Sequence, residues 1–282
     1  MRARDLDTVR SLVQTESGMV LNEDQSTAVE RRLLRLAQRE QLGTITQLVS
    51  VVRRNSDLKL RRRVAEALTI NETQFFRDPR VFDALAQTVL PRLLETRARL
   101  TIWCAASASG QEPYSLAMIL RDQFPQVDVK IFATDFSKSM VARTDEGRYS
   151  ESEVRRGLMP AVRERHLIKD GDSWRVRPDI RAMVQVEQLN LVGPWRPLPT
   201  FDLVLIRNVL GYLDPLARLQ VLGRVRALLP ADGVMVVGAT ESCVPPESGY
   251  ARFIVQRSTF YRPAPAHELH ESGGAAPAAV RP

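Results

Sequence analysis

Apolar positions recur at helical spacing in the first part of the chain and in short blocks further on. Leu6, Val9 and Val13 form one stripe, Val29, Leu33, Leu36 and Ala37 a second, and Leu60, Val64, Ala67 and Leu68 a third. Steps of three and four put each set on one face of a helix, so the spacing predicts a small helical domain over 1–70. From about residue 100 the period changes. Apolar runs at 100–105, 129–134, 184–189, 201–206 and 234–239 read as strands, and helical stretches at 112–124 and 215–229 lie between several of them. Strand and helix in alternation predict a mainly parallel α/β sheet with right-handed crossovers, whose ligands bind beyond the carboxyl ends of the strands. Residues 71–99 link the two parts, the α/β domain runs over 100–262, and the Pro-, Ala- and Gly-rich stretch 263–282 reads as a disordered tail.

A smaller pattern interrupts the alternation. His166-Leu-Ile-Lys169, the turn pair Asp170-Gly171 and Asp172-Ser-Trp-Arg-Val176 read as a hairpin. Arg177-Pro178-Asp179 then turns the chain into 180–184. Three short antiparallel strands at about 165–184 are the expected insertion.

Composition narrows the function class. With 44% hydrophobic and 26% charged residues the chain can bury a substantial core, which excludes global disorder. Its longest apolar runs, such as 203–206, fall far short of the roughly 20 residues a membrane span needs. The N-terminus has no hydrophobic signal core, so a cytoplasmic location without membrane insertion is expected. Cys104 and Cys243, with His166, His267 and His270, are too few and too scattered to suggest a metal cage or a disulfide framework; no metal is expected. The net charge of +7 is concentrated between residues 31 and 63, where Arg31, Arg32, Arg35, Arg39, Arg53, Arg54, Lys59, Arg61, Arg62 and Arg63 face only Glu40 and Asp57. Arg31, Arg35 and Arg39 are four apart and share a helix face, with Arg32 beside them. That face suits an acidic partner, while charge alone leaves a plain solvated face or a nucleic acid as alternatives.

Polar residues recur just after the predicted strands. The first strand runs into Ala106-Ser-Ala-Ser-Gly-Gln-Glu-Pro-Tyr-Ser115, small residues leading to a helix start. The second ends in Asp135, where an acidic side chain can bind the ribose hydroxyls of an adenosine cofactor. Asn190 and Leu191 follow the third, and Arg207 and Asn208 the fourth. Only Gly110 stands where a dinucleotide fingerprint needs three glycines, which argues against a pyrophosphate ligand. S-adenosylmethionine, with ribose and adenine but no phosphate, fits better.

With these residues assembled, the chain resembles the chemotaxis receptor methyltransferase family, CheR. Asn71-Glu-Thr-Gln-Phe-Phe-Arg-Asp-Pro79 is similar to its N-x-T-x-F-F-R-D/E segment, and 103–115 to W-S-A-x-x-S-T-G-E-E-P-Y-S. Ala133-Thr-Asp135 is similar to its A-[ST]-D, Arg207-Asn-Val-Leu-Gly-Tyr212 to R-N-V-x-I-Y, and Gly238-Ala-Thr-Glu-Ser242 to G-x-x-E-S. The resemblance covers about 5–262. It implies a Rossmann-like, S-adenosylmethionine-dependent methyltransferase domain with a small antiparallel β insertion, preceded by a small all-α domain. It also implies methyl transfer to glutamates of a chemoreceptor, with S-adenosylhomocysteine as product. Carried over residue by residue, it puts cofactor contacts at Asn71, Thr73, Arg77, Glu112, Asp135, Asn190, Leu191, Arg207 and Asn208, and a catalytic pair at Arg77 and Tyr212. The implied partner is the cytoplasmic domain of a methyl-accepting chemoreceptor, docking on Arg31, Arg32, Arg35 and Arg39, with a receptor C-terminal peptide at the β insertion. A monomer that binds no nucleic acid is expected. The chain departs from the family pattern at Ser109, at Gln111 and at Gly211 beside Tyr212. A non-catalytic cofactor-binding module therefore stays as an alternative. A nucleic-acid methylase is a weaker one, because Asn208-Val-Leu-Gly211 lacks the prolines of that class's clamp.

Overall fold

The structure, a computed structural model, describes residues 2–22, 25–54, 57–239, 241 and 244–265. Thr240 and Ser242 of the G-x-x-E-S segment, Cys243, His267, His270 and all of the expected tail beyond 265 lie outside the described residues.

Four helices open the chain: α1 (Ala3–Ser17), α2 (Ser26–Arg39), α3 (Ile45–Arg53) and α4 (Leu58–Leu68). The three apolar stripes turn inward, with Val13, Leu33 and Ala37 fully buried. The spacing did not announce α3, but its start carries a capping signal. Thr44 accepts from Gln47 N, and the Gln47 side chain returns to the Thr44 backbone. The core of this domain continues into one face of the sheet, where Val9, Leu33 and Val64 share a cluster with Trp103, Phe201 and Val221.

The linking segment forms α5 (Pro79–Ala84), a π turn at Leu85–Val89 and α6 (Leu90–Leu94). Pro91 explains the π turn, because its ring would otherwise meet the carbonyl four residues back, and the wider turn makes room.

The α/β domain then follows as β1 (Arg99–Ala105), α7 (Gln111–Gln123), β2 (Asp128–Asp135) and α8 (Lys138–Glu146). Next come β3 (Arg148–Ser150), α9 (Glu151–Arg155), α10 (Pro160–His166), β4 (Leu167–Asp170), β5 (Ser173–Val176) and α11 (Pro178–Arg181). The domain ends with β6 (Val184–Gln188), β7 (Leu203–Leu205), α12 (Pro215–Ala227), β8 (Val234–Val236), β9 (Tyr250–Val255) and β10 (Ser258–Pro263). The main sheet has the order β6-β2-β1-β7-β8-β10-β9. Its first five strands are parallel, while β10 runs antiparallel to β8 and to β9. The order reverses at β1, with β2 on one side and β7 on the other, which opens a crevice at the carboxyl edge of these strands.

One expectation is corrected. The small sheet has the order β3-β5-β4, so its third strand is Arg148–Ser150 and not 180–184. Pro178 at the first turn of α11 makes Pro178–Arg181 helical, and Val184 onward joins the main sheet beside β2. The hairpin β9–β10 went unread because its two turn residues, Gln256 and Arg257, carry none of the Asn-Gly chemistry that marks such turns, although both adopt positive φ (47° and 66°).

Candidate active site

The connection from β1 to α7 is a chain of left-handed residues. Ala106 (φ 57°), Ala108 (φ 49°) and Gly110 (φ 90°) alternate with ordinary ones. For an alanine that conformation costs roughly 1–2 kcal/mol, so the turn must be held from outside. Ser107 N donates to Thr134 O (2.9 Å) and Ala108 N to Asp135 Oδ2 (2.9 Å). Thr144 Oγ1 donates to Ala108 O (3.0 Å) and Tyr149 Oη to Ser109 O (2.7 Å). Gly110 has no substitute here, since a Cβ would lie 2.6 Å from Thr144 Cγ2. The two departures from the family pattern satisfy each other: buried Ser109 donates through Oγ to Gln111 Oε1 at 2.9 Å.

Asp135, at the end of β2, is buried. Its Oδ1 accepts from Ser137 N at 2.8 Å and its Oδ2 from Ala108 N. Burial pushes its carboxyl above the ordinary range, and the two backbone N–H groups pull part of the way back.

A second charged cluster forms around Arg207, whose side chain is 1% exposed. Nη1 donates to Glu112 Oε2 (2.7 Å), and Nη2 to Asp78 Oδ2 (2.6 Å) and Arg77 O (2.8 Å). Its guanidinium lies over the Phe82 ring. Burial raises the Glu112 carboxyl, with the Arg207 guanidinium opposing. Glu112 and Arg207, read from the sequence as separate contacts, are thus partners of one another. Together with Asp78 they lock the segment 71–78 onto the sheet, helped by the Phe76 N to Ser115 Oγ bond (2.9 Å). Arg77 itself donates through Nη1 to Glu72 O at 3.0 Å.

After β7, Asn208 sits at φ 57°. Glu241 secures this turn, accepting from Asn208 N (2.6 Å) and Gly238 N (2.7 Å) at Oε2 and from Gly211 N (3.1 Å) at Oε1. The connection between α1 and α2 grips the same stretch from the other side. Val20 N donates to Tyr212 O (2.8 Å), Asp214 N donates to Gly18 O (2.9 Å), and Met19 bridges to Leu213.

Asn71, Thr73, Arg77, Glu112, Asp135, Asn190, Leu191, Arg207, Asn208 and Tyr212 all line one cavity. The Asn190 side chain is turned to structural use, donating to Glu16 O (2.7 Å) and accepting from Val192 N (3.2 Å). Sequence reasoning missed Ser17 and Met19 of the helical domain and Phe136, Leu189 and Leu213, which also line the cavity. Gly18, needed where a Cβ would approach Val192 Cγ1 to 2.6 Å, is the one local sign that this stretch packs against the other domain.

The four arginines of α2 divide. Arg31, Arg35 and Arg39 are exposed. Arg32 turns inward to donate to Leu68 O (3.3 Å) and Thr69 O (2.9 Å), closing the end of α4. Arg32, Arg35 and Arg39 line a groove with Thr69, Asn71 and Glu72, and the last three also line the cavity. Much of the remaining positive charge is paired within the domain, as in Arg53–Asp5, Arg61–Glu16 and Arg63–Glu40. Among the described residues no group of His, Cys, Asp and Glu side chains could hold a metal ion, and no helix is long and apolar enough to cross a membrane.

The CheR methyltransferase SAM binding domain model matches residues 71–259, and the CheR methyltransferase all-alpha domain model matches 4–69. Chemotaxis protein methyltransferase 1 of Pseudomonas aeruginosa is 35% identical over 248 residues, covering 84% of this chain and 90% of that protein. Chemotaxis protein methyltransferase 1 of Vibrio cholerae is 34% identical over 238 residues, covering 82% and 86%. With both parts of the chain matched in order and the fold and cavity in agreement, the chain belongs to the CheR methyltransferase family.

Proposed function

We propose that the chain transfers a methyl group from S-adenosylmethionine to glutamate side-chain carboxylates on the cytoplasmic domain of a chemoreceptor, forming methyl esters. The observation that carries this reading is the convergence of ten residues from separate segments, Asn71 to Tyr212, on one cavity in a chain of this family. The cavity suits the cofactor's chemistry. Asp135 is a hydroxyl acceptor beside a turn of small residues, and Met19, Phe136, Leu189 and Leu191 supply apolar walls for an adenine. Arg77, Glu112 and Arg207 offer both signs of charge to an amino-acid zwitterion, and buried Arg207 Nε, without a partner among the described residues, is a donor such a group would satisfy.

Bound there, S-adenosylmethionine supplies a methyl group on a sulfonium whose departure leaves a neutral thioether. A glutamate carboxylate, with an ordinary pKa of roughly 4.3, is already ionised at neutral pH and needs no general base. The protein's task is placement and exclusion of water. Arg77 orients one oxygen of the acceptor while the other reacts, and the Tyr212 hydroxyl donates a bond that sets the angle. Arg31, Arg35 and Arg39 steer the acidic receptor surface. Action as a monomer in the cytoplasm completes the proposal. In the small sheet β4 is an edge strand with Ile168 45% exposed, which supports strand addition by a receptor C-terminal peptide.

Incubation with methyl-labelled S-adenosylmethionine and a chemoreceptor cytoplasmic fragment tests the proposal. Base treatment should release the label as methanol. Label that resists base, or a receptor left unlabelled, would overturn it.

A further inference from the structure

A second groove lies against the site without belonging to it. It is lined by Arg80, Arg252 and Arg257, together with Asp78, Glu241 and Tyr261. We propose that this groove docks an acidic segment of the methyl-accepting protein, so that the acceptor is held by a basic surface on the methyltransferase domain itself as well as by α2. The inference rests on the glutamate-methylating reading above.

Register puts the groove at the functional edge. β10 is antiparallel to β8, with Phe260 opposite Val236 and Tyr261 opposite Met235. The start of β10 therefore lies level with the carboxyl end of β8, and the Gln256–Arg257 turn projects at the same edge as Arg207 and Asn208. Both turn residues hold positive φ, a conformation that favours Asn-Gly. The turn is braced by Gln256 Nε2, which donates to Gln87 Oε1 (3.0 Å) and Thr88 Oγ1 (3.4 Å) on the π turn. The backbone that carries Arg257 is thus held at this edge.

Charge complementarity identifies the occupant. The two acidic residues in the lining are engaged internally, Asp78 by Arg207 and Glu241 by three backbone N–H groups. Arg80, Arg252 and Arg257 are exposed, and among the described residues none of them pairs with a carboxylate; Arg252 Nη2 donates only to Thr259 Oγ1 (3.3 Å). The surface the groove offers outward is positive. Asp78 and Glu241 also tie it to the chemistry, since one holds Arg207 and the other holds the Asn208–Gly211 backbone. An acidic segment laid here reaches the Tyr212 rim along the protein surface.

The test uses the full chain with S-adenosylhomocysteine present and a fluorescein-labelled helical peptide carrying Glu-Glu pairs, read by anisotropy at low salt. Arg252→Glu with Arg257→Glu should weaken peptide binding roughly tenfold and flatten its salt dependence, with S-adenosylhomocysteine affinity unchanged. The gentler Arg252→Gln with Arg257→Gln, which keeps size and polarity, should weaken it less. Equal peptide affinity in the parent and both variants overturns the groove. So does a DNA duplex that competes as well as the peptide, because the surface then reads charge and not an acidic protein. Methyl transfer to the receptor fragment is scored apart: binding through the groove without transfer overturns the substrate proposed above and upholds the groove.

Discussion

At the Asp135 end of the cavity, side chains are spent on holding backbone, with Asp135 on Ala108 N and Ser137 N, Thr144 on Ala108 O, and Tyr149 on Ser109 O. At the Tyr212 end the backbone is held by others. Glu241 and the α1–α2 connection fix the stretch from Asn208 to Asp214, and among the described residues the Tyr212 hydroxyl makes no hydrogen bond. One end is preorganised around a ligand of fixed shape. The other leaves a side chain free to meet the acceptor proposed above.

The Arg207 cluster joins the two ends, and breaking it should have the largest effect. Arg207→Met strands Glu112 and Asp78 without their cation, and Glu112 is buried, so a loss of about 3–5 kcal/mol in unfolding free energy is expected. Adding Glu112→Gln should recover part of it. Denaturant unfolding that shows the single variant as stable as the parent would mean that the pair contributes nothing net.

Asp135→Asn tests the preorganised end. The amide keeps one acceptor for the turn but loses the charge that would strengthen bonds to ribose hydroxyls, so S-adenosylmethionine affinity should fall by about 1–3 kcal/mol in calorimetry. The same variant carries a pH signature. Because the folded-state pKa of Asp135 is raised by burial, its contribution to stability is complete below the ordinary carboxylate pKa and is lost as pH rises through the raised value. The Tm of Asp135→Asn should therefore gain on the parent between acid and neutral pH. A constant difference would mean that the backbone N–H bonds cancel burial, and the opposite trend that they outweigh it.

Much of this was legible in the sequence, and the reason is local. Strand ends such as Asp135 and Arg207 follow short apolar runs, so topology alone brings them to one edge. The pairing of Glu112 with Arg207 was not legible, because nothing local joins two residues that meet only when β1 and β7 pair. Nor were Ser17 and Met19, which enter the cavity only because one helix stripe packs on the sheet. β3 escaped notice for another reason: three residues running into the capping box of α9 show no strand period.

Tyr212→Phe tests the open end. The ring stays and only the bond proposed to the acceptor carboxylate is lost, so kcat should fall roughly tenfold while cofactor Kd holds. Arg77→Ala should instead raise Kd and lower kcat together. Loss of cofactor binding in a folded Tyr212→Phe protein would reduce the ring to a piece of wall.

The smallest effects should separate the arginines of α2. Arg32 donates to Leu68 O and Thr69 O, so Arg32→Ala leaves those carbonyls to find water and should cost about 1 kcal/mol of stability. Arg35→Glu with Arg39→Glu touches exposed side chains and should leave Tm within error. It should lower kcat/KM for a receptor fragment a few-fold at low salt, with the difference shrinking as salt is added, because exposed charges act through a screened field. Arg32→Ala should show no such salt dependence. If both variants lose activity in parallel and neither loss responds to salt, α2 acts by holding the helical domain against the cavity wall, and steering of an acidic partner has to come from the groove of Arg80, Arg252 and Arg257.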